Sequence, residues 1–138
     1  MMTIRLIDIF HQPGWETRHA IRALEINGKC RVYEELIDLK RSNPADFKKL
    51  MKVIRKVACQ ERVMNEKQVV RGKGWPEVYE IRAHRGNARL YFFYTPDNSE
   101  IVVCTNSYWK SKRSKKEQDE AFQRADRLRQ RYLESLRP

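Results

Sequence analysis

The sequence predicts an α+β fold, a small antiparallel-rich sheet packed by helices. Three stretches carry that expectation. Residues 78–94, VYEIRAHRGNARLYFFY, read as two strands around a Gly-Asn turn. Residues 44–58 place Phe47, Leu50, Met51, Ile54, Val57 and Ala58 on one helical stripe, with Lys48, Lys49, Lys52, Arg55 and Lys56 around much of the rest. Residues 114–136 repeat the device with Ala121, Ala125, Leu128, Tyr132 and Leu136, with Phe122 at the edge. At 138 residues the chain suits one domain, 1–138, with a single core.

The elements follow in chain order. Residues 3–10, TIRLIDIF, are rich in β-branched side chains and suit a first strand. Residues 11–28 leave two readings open: Pro13-Gly14 marks a turn, and Ala20 to Ile26 fits a helix or a continuation of the sheet. From Lys29 to Leu39, Val32, Leu36 and Leu39 have helical spacing. Asn43 then suits an N-cap, Pro44 the first helical position, and Asp46 the positive helix end. Residues 60–77 turn polar and end in RGKGWP, which predicts a loop broken by Gly72, Gly74 and Pro76. Strands are expected at about 78–85, 88–95 and 100–106, and the last helix from Ser114, with Glu117 completing a capping box. The predicted order is β-α-α-β-β-β-α.

Composition narrows the partners. The chain carries 29 Lys and Arg against 18 Asp and Glu, a formal charge of +11. Such a surface seeks polyanions: nucleic acid, an acidic protein or an anionic membrane. No apolar run reaches the roughly 18 residues of a membrane span, and the amino terminus lacks the pattern of a signal peptide. The expectation is a cytoplasmic protein with no membrane partner. Cys30, Cys59 and Cys104 are odd in number, widely spaced and without a CxxC pair, so reduced thiols are expected, with no disulfide framework, no metal site and no cofactor.

The hairpin sorts its side chains by face. A two-residue Gly86-Asn87 turn pairs His84 with Arg89, Ala83 with Leu90, Ile81 with Phe92 and Tyr79 with Tyr94. One face is then apolar. The other carries Glu80, Arg82, His84, Arg89, Tyr91 and Phe93 and is expected to stay open, basic and aromatic. Downstream, YWKSKRSKK (108–116) adds Tyr108, Trp109, Lys110, Lys112, Arg113, Lys115 and Lys116 with no acid among them. Cations interleaved with rings suit single-stranded nucleic acid, because charges neutralise phosphates and rings stack on bases. The plainer alternative is a solvated surface on which Glu80 neutralises Arg82.

WPEVYEIR, then NARLYFFY, then SYWKSKRSKKEQDEAFQRADRLRQRY resembles the RelE/HigB superfamily of type II toxins, closest to its HigB-like, phage-associated branch. The resemblance covers about residues 43–133; residues 1–42 match weakly and read as additional N-terminal material. It implies a RelE-like fold and an mRNA interferase, an endoribonuclease that cuts mRNA in the ribosome, inhibits translation and is held by a cognate antitoxin. Arg82 falls on the family's "ElR" arginine, Arg89 on the arginine of the next strand, and Lys110 on the first lysine of the basic segment. Ser111 stands at the second lysine, a departure; Lys112 is the nearest substitute, but its side chain is expected to leave the strand on the other face.

RNA cleavage by 2′-hydroxyl attack needs help with the 2′ proton, stabilisation of a charged phosphorane and protonation of the leaving 5′ oxygen. Arg82 and Arg89 suit the phosphorane, while Lys110 and His84 suit proton transfer. Arg85, Tyr91, Tyr108, Lys112, Arg113, Lys115 and Lys116 are the expected RNA contacts. Two alternatives share the fold: a ParE-like toxin that inhibits gyrase without nuclease activity, and a non-catalytic RNA-binding protein. His11 and His19 have no partner pattern. Trp15 and Trp75 are expected to pack against the domain.

Overall fold

The computed structural model describes residues 2–10, 14–60, 68–82, 87–96, 101–109 and 115–137. Within them the chain forms β1 (Ile4–Ile7), β2 (Ala20–Ile26), α1 (Arg31–Ser42), α2 (Pro44–Cys59), β3 (Val69–Gly72), β4 (Trp75–Arg82), β5 (Ala88–Tyr94), β6 (Ile101–Trp109) and α3 (Lys115–Ser135). The strands make one sheet in the order β1-β2-β6-β5-β4-β3. All neighbours are antiparallel except β2 and β6, which run parallel with Ala20 beside Ile101. The expected α+β class with a mostly antiparallel sheet is therefore present.

Two strands depart from the predicted order. Ala20–Ile26 resolves its two readings as sheet, because its register between β1 and β6 outweighs the helix-forming Ala, Leu and Glu. Val69–Gly72 is a short strand inside the predicted loop, paired with β4. Gly72 is there for space and is no breaker: a Cβ would sit 2.9 Å from Phe122 Cδ1 and 2.9 Å from the Trp75 carbonyl oxygen. Gly74 does make the turn, with φ +88.

Both helices on the first face follow their sequence signals. Asn43 Oδ1 accepts the Asp46 N–H at 3.1 Å, and Pro44 opens α2. Leu50, Val53, Ile54, Val57 and Ala58 of α2 join Val32, Leu36 and Leu39 of α1 over Ile81, Leu90, Phe92, Val102 and Cys104 of the sheet. Cys30 and Cys104 are buried free thiols, and Cys59 is half-buried and free.

The second face corrects the largest expectation. It is not open. Helix α3 lays Ala121, Phe122, Ala125 and Tyr132 across Val78, Tyr91, Phe93, Val103 and Leu24. The reason lies in β5, where every residue from Ala88 to Phe93 is buried. Such a strand loses water from both faces, as a central strand covered on two sides does. Phe93 meets Tyr132, and Tyr91 meets Phe122 edge-on at 5.1 Å. Leu136, expected on the α3 stripe, is exposed. Trp15 and Trp75 pack partly buried against the core, and His19 is buried beside the Tyr94 ring. No helix of the described residues is long and apolar enough to cross a membrane.

Candidate functional site

The β4–β5 ladder brings the two principal arginines together. Its register pairs Tyr79 with Phe92, Glu80 with Tyr91, Ile81 with Leu90 and Arg82 with Arg89. That differs by two residues from the expected pairing of His84 with Arg89. A two-residue change preserves side-chain parity, so the predicted division into faces survives while the cross-strand partners change. Residues 83–86, with His84 and Arg85, lie outside the described residues.

A bulge in β6 sets the third member. Between Tyr91 and Phe92 the β5–β6 pairing shifts, so that Asn106 faces Tyr91 while Cys104 faces Phe92. Thr105 is the extra residue, and its hydroxyl donates to the Tyr91 carbonyl at 3.3 Å. The bulge inverts the phase of β6. Tyr108 then lies opposite Arg89 and shares its face. Lys110, Lys112, Arg113 and Ser114 lie outside the described residues, while Lys115 and Lys116 are exposed on the first turn of α3.

At the centre sits Glu80, fully buried. Its Oε1 accepts from Arg82 Nε at 3.0 Å and Nη2 at 2.5 Å, with Arg89 Nε 3.8 Å away. Its Oε2 accepts the Tyr91 hydroxyl at 2.6 Å. Gln118 Nε2 reaches both oxygens at 3.2 Å. A buried carboxylate is tolerated only with this degree of pairing. Two like charges placed directly opposite on neighbouring strands repel, and Glu80 on the same face offsets that repulsion.

Burial divides the roles. Tyr91 is fully buried, so its ring packs inside the protein and presents no face to a base. Burial, with Glu80 as the next cause, drives its hydroxyl pKa far upward, and it acts as a fixed donor. Arg89 retains 10% side-chain exposure; burial lowers its pKa, and Glu80 opposes the shift. Arg82 keeps 27% and reaches solvent. Tyr108 is half-buried and donates to Glu117 Oε2 at 2.5 Å, the bond that raises its pKa.

Arg89 and Tyr108 also line a cavity of about 260 Å³ against α1, with Glu35 and Ser107 at its wall. The Ser107 hydroxyl donates to Glu35, whose pKa is raised by burial against the lowering influence of Arg124 and Arg31. Sequence reasoning missed Gln118 and the Tyr108–Glu117 bond; Glu117 was readable only as a capping residue for Ser114. The neutralising role of Glu80 toward Arg82 was legible, its hold on Tyr91 was not. Among the described residues no three His, Cys, Asp or Glu side chains group so as to hold a metal ion.

The chain has no match among protein-family models, curated proteins or solved structures.

Proposed function

We propose that the protein is an RNA-cleaving toxin of the RelE/HigB kind, an endoribonuclease that acts on mRNA in the ribosome and is restrained by an acidic antitoxin. The observation that carries this reading is the cross-strand pairing of Arg82 with Arg89 beside Tyr108, with two guanidiniums on one face at the end of the sheet. The succession of β4, β5, β6 and α3 supports this reading, and the weakly matching residues 1–42 carry β1, β2 and α1. In the reaction the 2′ oxygen bonds to phosphorus and the bond to the 5′ oxygen breaks. Arg82, the more accessible, meets the phosphorane oxygens, and Arg89 supplies fixed positive charge behind it. Proton transfer falls to Lys110 and His84, and Lys112, Arg113, Lys115 and Lys116 hold the strand. The net charge of +11 supports both a ribosomal target and an acidic partner.

A second reading, a non-catalytic RNA-binding protein of the same fold, draws on Glu80, which already compensates much of the arginine charge. Translation of a defined mRNA in a cell-free extract separates them. Discrete cuts that vanish in Arg82→Ala support the nuclease. Binding without cuts supports the second reading, and blocked gyrase supercoiling with intact mRNA points to a ParE-like activity.

A further inference from the structure

The α3 side of the sheet carries a basic groove that the reading above does not use. It runs between α3 and the β2–β6 pair toward the start of α1, with a volume of about 550 Å³. Arg124, Arg127 and Arg131 form one wall, and Lys29 and Arg31 the other. The three arginines follow helical spacing on one face of α3 and span about 10 Å at ~1.5 Å per residue. No acid lines the groove. Lys29 pairs with Glu34 at 3.7 Å, but none of the four arginines forms an ion pair among the described residues. Glu35 is the carboxylate whose charge is felt by Arg31 and Arg124.

Like charges along a helix face and across a cleft, with no direct ion pair of their own among these arginines, raise the energy of the free protein, and a concave wall focuses their field. The ligand that relieves this must be a repeating anion. Exposed guanidiniums in a row suit successive phosphates, and Leu24, Ile26 and Leu128 give the groove an apolar floor for sugars and base faces. An adjoining cleft beside Tyr108 shares Arg124 and Arg127 with the groove and adds Glu117 and Glu120, and neither Arg82 nor Arg89 lines the groove itself. We propose that it is a second binding site, for the sugar–phosphate backbone of a nucleic-acid strand. This holds whether or not the Arg82–Arg89 cluster cuts RNA.

The test is fluorescence anisotropy of a labelled RNA oligonucleotide across a salt series. The triple variant Arg124→Gln, Arg127→Gln, Arg131→Gln is compared with Lys48→Gln, Lys49→Gln, Lys52→Gln, which removes the same charge from exposed positions of α2. The groove variant should bind roughly tenfold or more weakly at low salt. Its slope of log affinity against log salt should fall by about 2, since each single-strand phosphate contact contributes about 0.7. The α2 variant should change little. Equal losses in the two variants, or none, overturn the proposal. Polyglutamate binding as tightly as RNA, with the same loss, overturns it in favour of an acidic protein. Arg127→Gln alone, with about a third of the slope change, carries the test should the triple variant melt early.

Discussion

Arg82 and Arg89 face each other across the β4–β5 ladder and share one carboxylate oxygen, Glu80 Oε1, at 2.5 Å and 3.8 Å. A buried pair is weak evidence of stability as a whole, but removing one partner strands the other. Glu80→Gln keeps volume and deletes the charge. It should cost on the order of 3 kcal/mol in urea unfolding at pH 7. A loss under about 1 kcal/mol would mean that the arginines find compensation elsewhere.

The two arginines should separate folding from activity. Arg82→Ala leaves Glu80 with its Tyr91 and Gln118 donors and with Arg89 near, so the stability cost should be about 1 kcal/mol. Arg89 is largely buried, and its truncation adds a cavity to a lost charge, so about 3 kcal/mol is expected. Both variants should lose RNA cleavage. Only Arg82→Ala should do so at near-native unfolding midpoint, and the reverse ranking of stabilities would contradict the burial argument.

How far the sequence reveals this arrangement depends on whether the signal is local. The α2 start is local: Asn43, Pro44 and Asp46 state it within four residues. Face parity in the hairpin is local too, because alternation survives a two-residue change of register. The covering of the second face is ambiguous at β5. Tyr91 and Phe93 look like ring platforms when their charged neighbours are counted, and like core when the unbroken run Leu90 to Phe93 is weighed. The Thr105 bulge has no signature of its own, yet it decides that Tyr108 joins Arg89. Strand β3 is short and carries Gly72, whose purpose appears only once Phe122 is in place.

That glycine gives a sharp expectation. In Gly72→Ala the new methyl meets both a movable ring and a backbone oxygen, Trp75 O, each at 2.9 Å. The ring can rotate, but the carbonyl belongs to the first residue of β4, paired with Gly72 in the sheet. Overpacking of this kind costs about 1–3 kcal/mol. Combining it with Phe122→Leu should recover only part of the loss, because the carbonyl contact remains. Full recovery in the double variant would assign the whole clash to the ring.

Glu35 supplies a pH dependence. Burial raises its folded pKa above the ordinary 4.5, although Arg124 and Arg31 pull the other way. A carboxyl with a raised folded pKa binds its proton more tightly in the native state. Its contribution to stability is therefore present below about 4.5 and is lost as pH rises through the folded value. Glu35→Gln carries no proton to lose and still accepts the Ser107 hydroxyl. Glu35 keeps much of its surface in solvent, so the variant's melting temperature should exceed wild type at pH 7 by a small margin only, and the gap should close as pH falls below the ordinary carboxylate value. Calorimetry across that range reads the difference directly. A gap of constant size would place the effect in packing or in the Ser107 bond, since neither titrates there.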